Sequence, residues 1–292
     1  MPTIQIPQIT LNTGATIPQL GYGTLALQPD RESNETNAKI TEPVVTQALE
    51  AGYRHLDTAQ AYGTELGVGR AVAASGIPRE EIFITSKLAN ANHTPDDLER
   101  SFEQTLTHLG VDQLDLFLIH WPLPTLYDGD YVSTWKTITG FVADGRLRSA
   151  GVSNFQPAHL DRIVAETGIV PAVNQFEIHP YFNNNAPREA CARHGIAVEA
   201  HSPLGHNSAP LSDPTITQIA EAHDKTVAQV ILRWHMQHQI ITIPKSAKPE
   251  RMAENLDIFD FELTRTEIDA IDGLDRGPEG RVGPDPDTYE GV

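Results

Sequence analysis

Arg54-His55-Leu56-Asp57-Thr58-Ala59-Gln60-Ala61-Tyr62-Gly63-Thr64-Glu65 begins as a short strand, closes on a carboxylate and, five residues later, presents a phenol. Two later apolar runs also close on one ionisable group. Ile82-Phe83-Ile84-Thr85-Ser86-Lys87-Leu88 ends at Lys87, and Leu114-Asp115-Leu116-Phe117-Leu118-Ile119-His120-Trp121 ends at His120. A tyrosine is a poor proton donor at neutral pH, because its free pKa is about 10. A catalytic Tyr62 therefore needs a neighbouring cation that favours its anion, and Lys87 is a candidate.

Working outward, short and mostly apolar strands are expected near residues 20–24, 54–58, 82–88, 114–120, 148–153, 172–178, 197–202 and 240–244. Amphipathic helical segments separate them. In Thr94-Pro95-Asp96-Asp97-Leu98, Thr94 can cap a helix and Pro95 suits its first position. A polar stretch from Gln28 to Asn37 precedes a helix expected over Glu42 to Ala51. Strands apolar on both faces and alternating with helices indicate a parallel sheet. Eight of them, regularly spaced over about 250 residues, favour an α/β fold of the (β/α)8 TIM-barrel type. Residues 3–18 alternate around Leu11-Asn12-Thr13-Gly14-Ala15, the pattern of an N-terminal β-hairpin that plugs one end. Residues 274–292, rich in Gly, Pro and Asp, read as a loop-forming tail. No linker or long-period repeat divides the chain, so residues 1–292 are expected to form a single domain.

Composition narrows the function. Twenty-one basic against 39 acidic residues leave a net charge of -18, which disfavours nucleic acid and anionic membranes as partners. Cys191 is the only cysteine, so no intrachain disulfide can form. The N-terminus has no basic-then-apolar leader, and no apolar run is long enough to span a bilayer. A cytoplasmic setting is expected.

In a closed barrel the strand ends at one face converge, which gathers Asp57, Lys87 and His120, with Tyr62 in the loop after the first of them. The chemistry suggested is a proton delivered by Tyr62, its pKa lowered by the Lys87 ammonium, with Asp57 keeping Lys87 charged and His120 orienting a carbonyl oxygen. Each residue alone has a plainer role: a turn cap, a rim aromatic, a surface ion pair, a satisfied core histidine. Their joint placement favours catalysis. Competing motifs fail on context. Gly67-Val68-Gly69-Arg70-Ala71-Val72 lacks the third glycine of a dinucleotide fingerprint and lies within a helical segment, where helix packing explains it. Gly151-Val152-Ser153-Asn154-Phe155 lacks the second glycine of a nucleophile elbow. No zinc-binding or P-loop motif is present, so no metal is expected.

Several segments in fixed order resemble the aldo-keto reductase superfamily, most closely its bacterial 2,5-diketo-D-gluconate reductase group. They are Gly52-Tyr53-Arg54-His55-Leu56-Asp57-Thr58-Ala59, Asp115-Leu116-Phe117-Leu118-Ile119-His120-Trp121-Pro122, Gly151-Val152-Ser153-Asn154-Phe155, Pro171-Ala172-Val173-Asn174-Gln175 and Ile243-Pro244-Lys245-Ser246. The resemblance implies a barrel that binds NADPH without a Rossmann fold and reduces small aldehydes or ketones. It implies a catalytic tetrad of Asp57, Tyr62, Lys87 and His120. It further implies nicotinamide contacts at Ser153, Asn154, Gln175 and His201, a pyrophosphate loop including Ser202 and Leu204, a 2′-phosphate site at Lys245, Ser246 and Arg251, and adenosine contacts at Glu254 and Asn255. Leu25, Ala89 and Trp121 match positions around the substrate.

Independently of the resemblance, Lys245, Lys248 and Arg251 cluster at a strand-to-helix junction in a strongly acidic chain, where a helix N-terminus already favours an anion. Ala89 stands where bacterial members often carry Trp, and His201 replaces an aromatic that lies against the nicotinamide. Both changes suggest a wide pocket. A monomeric NADPH-dependent carbonyl reductase is the leading expectation. The alternative is an NADPH-binding regulatory or redox-sensing barrel with little turnover.

Overall fold

The computed structural model describes residues 5–206 and 209–291. Two short strands, β1 (Gln8–Thr10) and β2 (Thr16–Pro18), pair antiparallel as the expected hairpin. Eight parallel strands follow: β3 (Tyr22–Gly23), β4 (His55–Asp57), β5 (Phe83–Leu88), β6 (Leu114–Ile119), β7 (Leu147–Ser153), β8 (Val173–Glu177), β9 (Ala197–His201) and β10 (Ile241–Thr242). Each neighbours the next in sequence. The ring is completed where Leu20 bridges Thr242, with Thr242 N donating to the Gln19 carbonyl at 2.9 Å and Gly21 N to the Thr242 carbonyl at 2.9 Å. This is the expected (β/α)8 barrel. Closure leaves the barrel sheet without an exposed edge among the described residues, which explains how strands of two or three residues suffice.

The strands lack a polar face because both of their faces are covered. β5 and β6 are buried at every residue, the barrel filling one side and the helices the other. The hairpin residues Leu11 and Ile17 pack with Phe83, Leu116, Leu118, Val173 and Ile241, so the hairpin does plug the end where the strands begin.

Helices α1 (Glu35–Ala51), α2 (Glu65–Ala74), α3 (Pro95–Leu109), α4 (Tyr131–Ala143), α5 (Pro157–Thr167), α6 (Asn185–His194), α7 (Pro214–Ala222), α8 (Val227–Gln237), α9 (Pro249–Leu256) and α10 (Arg265–Asp272) surround the strands. The first begins seven residues before the expected Glu42. Asn34 caps it by accepting from Asn37 N at 3.0 Å, a side-chain cap hidden within a polar stretch that reads as loop. Thr94 occupies the N-cap position of α3, but its hydroxyl donates to Asp97 Oδ2 at 2.6 Å and not to the backbone. Gly67 and Gly69 serve helix packing: a Cβ on Gly69 would lie 2.5 Å from the His108 carbonyl oxygen, and one on Gly67 2.6 Å from Thr41 Cβ. After α10 the described tail residues hold a short 3₁₀ turn at Gly277–Gly280 and a hydrogen-bonded turn over 285–289, and they run back across the opposite end of the barrel, where the strands finish.

Candidate active site

Strand register brings the expected groups together. Asp57 ends β4 opposite Thr85 of β5, Lys87 pairs in register with Leu118 of β6, and His120 follows directly after β6. The chain then turns through Gln60–Tyr62, and Gly63 ends that turn with φ of 71°, so Tyr62 faces back over the strand ends. Lys87 Nζ donates to both Asp57 oxygens, at 2.6 and 2.7 Å, and to the Thr58 carbonyl at 3.1 Å. The ammonium lies 5.0 Å from the centre of the Tyr62 ring, which meets the His120 ring edge-on at 5.6 Å.

Lys87 is fully buried and Asp57 nearly so. Burial alone would depress the lysine pKa, but Asp57, Tyr62 and the hydrogen bonds outweigh it and hold the ammonium above its ordinary value. His120 is driven well below an ordinary histidine, first by burial and then by the Lys87 charge, so its ring is neutral. The expectation that Lys87 makes Tyr62 more acidic than free tyrosine requires correction. Burial raises the phenol pKa by more than Lys87 lowers it, so Tyr62 remains protonated, a loaded donor.

Beneath this layer, His55 and Glu199 are fully buried, with His55 Nε2 3.7 Å from Glu199 Oε1. Neither Glu199 oxygen has a hydrogen-bond partner among the described residues. Burial, followed by the nearby Asp57 charge, pushes the Glu199 carboxyl up to about 8, and burial takes His55 down to about 3.

The expected cofactor residues occupy the same face. Ser153 ends β7 in register with Gln175 of β8, whose amide donates to Asp57 Oδ2 at 2.8 Å. Asn154, at φ of 63°, donates to the His120 carbonyl at 3.0 Å, and its Oδ1 meets His201 Nε2 at 3.0 Å. The other His201 nitrogen meets Ser202 Oγ at 3.1 Å. Leu204 lies on the loop after β9 and lines the same cavity. Lys245 and Arg251 are exposed and form no ion pair among the described residues, whereas Ser246 is buried and accepts from Lys248 N at 3.0 Å. Asn255 is buried on α9, and Glu254 accepts from Thr226 Oγ1 at 2.7 Å.

A cavity of about 530 Å³ opens above the tetrad, with Leu25, Ala89 and Trp121 on its wall. Three further residues build this wall. Gln60 Oε1 accepts from Ala89 N at 2.8 Å and fixes the start of that loop. Tyr289 of the tail packs on Trp121, with ring centres 4.3 Å apart. Glu177, at the end of β8, accepts from Val282 N at 2.7 Å, Gly283 N at 2.8 Å and His179 Nε2 at 2.9 Å, anchoring the tail as the cavity's outer wall. Only a strand-end carboxylate hints at this last role.

The family model described as "Aldo/keto reductase family" matches residues 19–276. An aldo-keto reductase of Mycolicibacterium smegmatis is 50% identical over 283 residues, covering 97% of this chain and 98% of that protein. Morphine 6-dehydrogenase of Pseudomonas putida is 41% identical over 292 residues, covering 96% and 94%. Among solved structures, a mutant of Gox0644 in complex with NADPH superposes with a TM-score of 0.89 at 42% identity, covering 98% of this chain and 99% of that one. Half of the chain held identical along nearly its whole length, on the same barrel, leaves no other assignment: the chain belongs to the aldo/keto reductase family of oxidoreductases.

Proposed function

We propose that this chain reduces aldehydes and ketones to alcohols with NADPH, Tyr62 donating the proton. The observation that carries this reading is the buried Asp57–Lys87 pair beneath the edge-on Tyr62 and His120 rings, on the floor of the cavity.

The residues present suit NADPH. Lys245 and Arg251, cations without acidic partners among the described residues and close to the start of α9, would take the 2′-phosphate together with Ser246. Ser153, Asn154 and Gln175 would hold the carboxamide, His201 the nicotinamide face, Ser202 and Leu204 the pyrophosphate, and Glu254 and Asn255 the adenosine. The NADPH complex of Gox0644 supports this choice. When bound, the cofactor supplies the hydride that reduces the carbonyl carbon. His120, neutral, can offer one N–H to the carbonyl oxygen and orient it. Tyr62 gives its proton to that oxygen as negative charge builds there, and Lys87, kept charged by Asp57, stabilises the phenolate left behind. Solvent then reprotonates the phenol.

Within the family, the sequence pattern resembles that of the bacterial 2,5-diketo-D-gluconate reductases, and Leu25, Ala89 and Trp121 would shape a wide substrate pocket. Residues 1–292 act as one catalytic domain, monomeric and cytoplasmic. Purified protein should oxidise NADPH only when a carbonyl such as methylglyoxal is supplied, with alcohol formed in equal amount. NADPH binding without turnover across a carbonyl panel would overturn this reading in favour of a regulatory barrel.

A further inference from the structure

The wall of the cavity carries free positive charge, against the sign of a chain with net charge -18. Its charged lining residues are Arg31, Asp57, Glu177, Lys245 and Arg281. Asp57 is neutralised by Lys87, and Glu177 is occupied by the tail amides and His179. Lys245 lies on the side assigned above to the cofactor phosphate. Arg281 is turned toward the Phe182 ring, 5.1 Å from its centre, and toward Asp285 at 3.8 Å.

Arg31 is left. It belongs to the turn at residues 28–34 between β3 and α1, which is docked on the catalytic loop. Gln28 Nε2 donates to the Tyr62 carbonyl, while its Oε1 accepts from Thr41 Oγ1 at 2.9 Å. The absent side chain of Gly63 makes room for this turn, since a Cβ there would lie 2.7 Å from the Arg31 carbonyl carbon. The three acids flanking Arg31 are all engaged elsewhere. Asp30 accepts from Glu32 N at 3.0 Å and from Asn37, Glu32 accepts from Asn34 at 3.4 Å, and Glu35 pairs with Arg70. Arg31 forms no ion pair among the described residues, and it lines the same cavity as Tyr62 and His120.

We infer that Arg31 binds the carboxylate of an anionic carbonyl substrate, an oxo acid whose carbonyl sits at Tyr62 and His120 while its acid group meets the guanidinium at the cavity wall. This rests on the carbonyl reduction proposed above and names the substrate class it serves. A planar guanidinium engages a carboxylate through two parallel hydrogen bonds, a geometry lysine cannot reproduce. Exposure at the mouth screens the contact, so its contribution falls as salt rises.

The test compares wild type, Arg31→Gln and Arg31→Lys on succinic semialdehyde and on butanal, which share a chain length and differ in the carboxylate, with NADPH affinity measured by fluorescence titration. Wild type should favour succinic semialdehyde in kcat/KM, less so at high salt. Arg31→Gln should lose roughly tenfold or more of that kcat/KM, mostly through KM, as expected for a screened charge-assisted contact. It should remain within about threefold on butanal and in NADPH Kd, because neither meets Arg31 in this arrangement. Arg31→Lys should recover part of the loss. An unchanged ratio between the two aldehydes in Arg31→Gln refutes the inference. Equal loss on both makes the turn a mere support for the Tyr62 loop, and weakened NADPH binding with an unchanged ratio places Arg31 on the cofactor. Failure of the wild type to reduce either aldehyde instead overturns the carbonyl reading beneath it.

Discussion

Replacing Glu177 by Gln should release the tail from the mouth of the barrel while leaving the tetrad in place. The carboxylate accepts from Val282 N at 2.7 Å and Gly283 N at 2.8 Å. A glutamine keeps one acceptor and turns an amide N–H toward the other backbone N–H, so one charge-assisted bond is lost and the second becomes neutral. Charge-assisted bonds contribute about 1.5–3 kcal/mol each and neutral ones about 0.5–1.5, so the change costs about 2.5–4.5 kcal/mol. That is roughly 60- to 1,600-fold in the docking equilibrium, at about 1.4 kcal/mol per factor of ten. The tail would open locally, since Arg276 N still donates to the Tyr181 carbonyl at 3.0 Å and Asp275 still accepts from Asn183 N at 3.0 Å. Amide hydrogen exchange at neutral pH should show Val282 and Gly283 losing protection by that factor, with strand amides unchanged. The wild-type clamp has a pH signature. Burial raises the Glu177 carboxyl, but His179 and the two tail amides outweigh it and hold the pKa below the ordinary 4.5. Because the folded value is depressed, the stabilisation is complete above the unfolded value and is lost as pH falls through the folded one. Equal protection of Val282 and Gly283 in both proteins at neutral pH would refute the anchoring.

Arg251→Ala should raise the NADPH dissociation constant by roughly 10- to 150-fold, the equivalent of one contact of about 1.5–3 kcal/mol, and leave NADH binding nearly unchanged; equal losses for both nucleotides by titration would contradict a 2′-phosphate site. Gly69→Ala should cost about 1–3 kcal/mol in denaturant unfolding, because its new methyl meets backbone oxygens of His108 and Leu109 at 2.5 and 2.6 Å that cannot swing aside, and an unchanged midpoint would contradict the close helix packing. Glu199, raised to about 8 in the folded chain, favours the fold fully below its unfolded value near 4.5, and that contribution drains away as pH climbs through the folded value. Thermal unfolding of wild type from pH 5 to 8 should therefore show a decline that Glu199→Gln flattens, and parallel curves would refute it.

The barrel and the meeting of Asp57, Lys87 and His120 were legible because both follow from strands. Asp57, Lys87 and His120 each interrupt a buried run at the point where it leaves the core, and parallel strands with helices on both sides place those points together. What escaped depends on side-chain contacts and burial that only the fold shows. The start of α1 was missed because Asn34 and Asn37 read as loop formers until one is seen capping the other's backbone. The Tyr62 pKa was misjudged because Lys87 is visible in sequence, whereas the depth of burial that outweighs it is not. Glu177 gives no local sign of meeting amides more than a hundred residues later. The Gly67 and Gly69 reading held because a near-fingerprint inside a helix has one physical use, close approach of a neighbour.

Proton donation by Tyr62 to the carbonyl, with the cofactor held elsewhere, is tested by turnover of methylglyoxal by wild type and Tyr62→Phe at saturating NADPH, with NADPH affinity titrated in parallel. Removing a positioned acid should lower kcat by at least roughly 100-fold and leave NADPH affinity within about twofold. Turnover within about tenfold of wild type, beside unchanged NADPH binding, would contradict the assignment, since general acid catalysis of this kind contributes more than that.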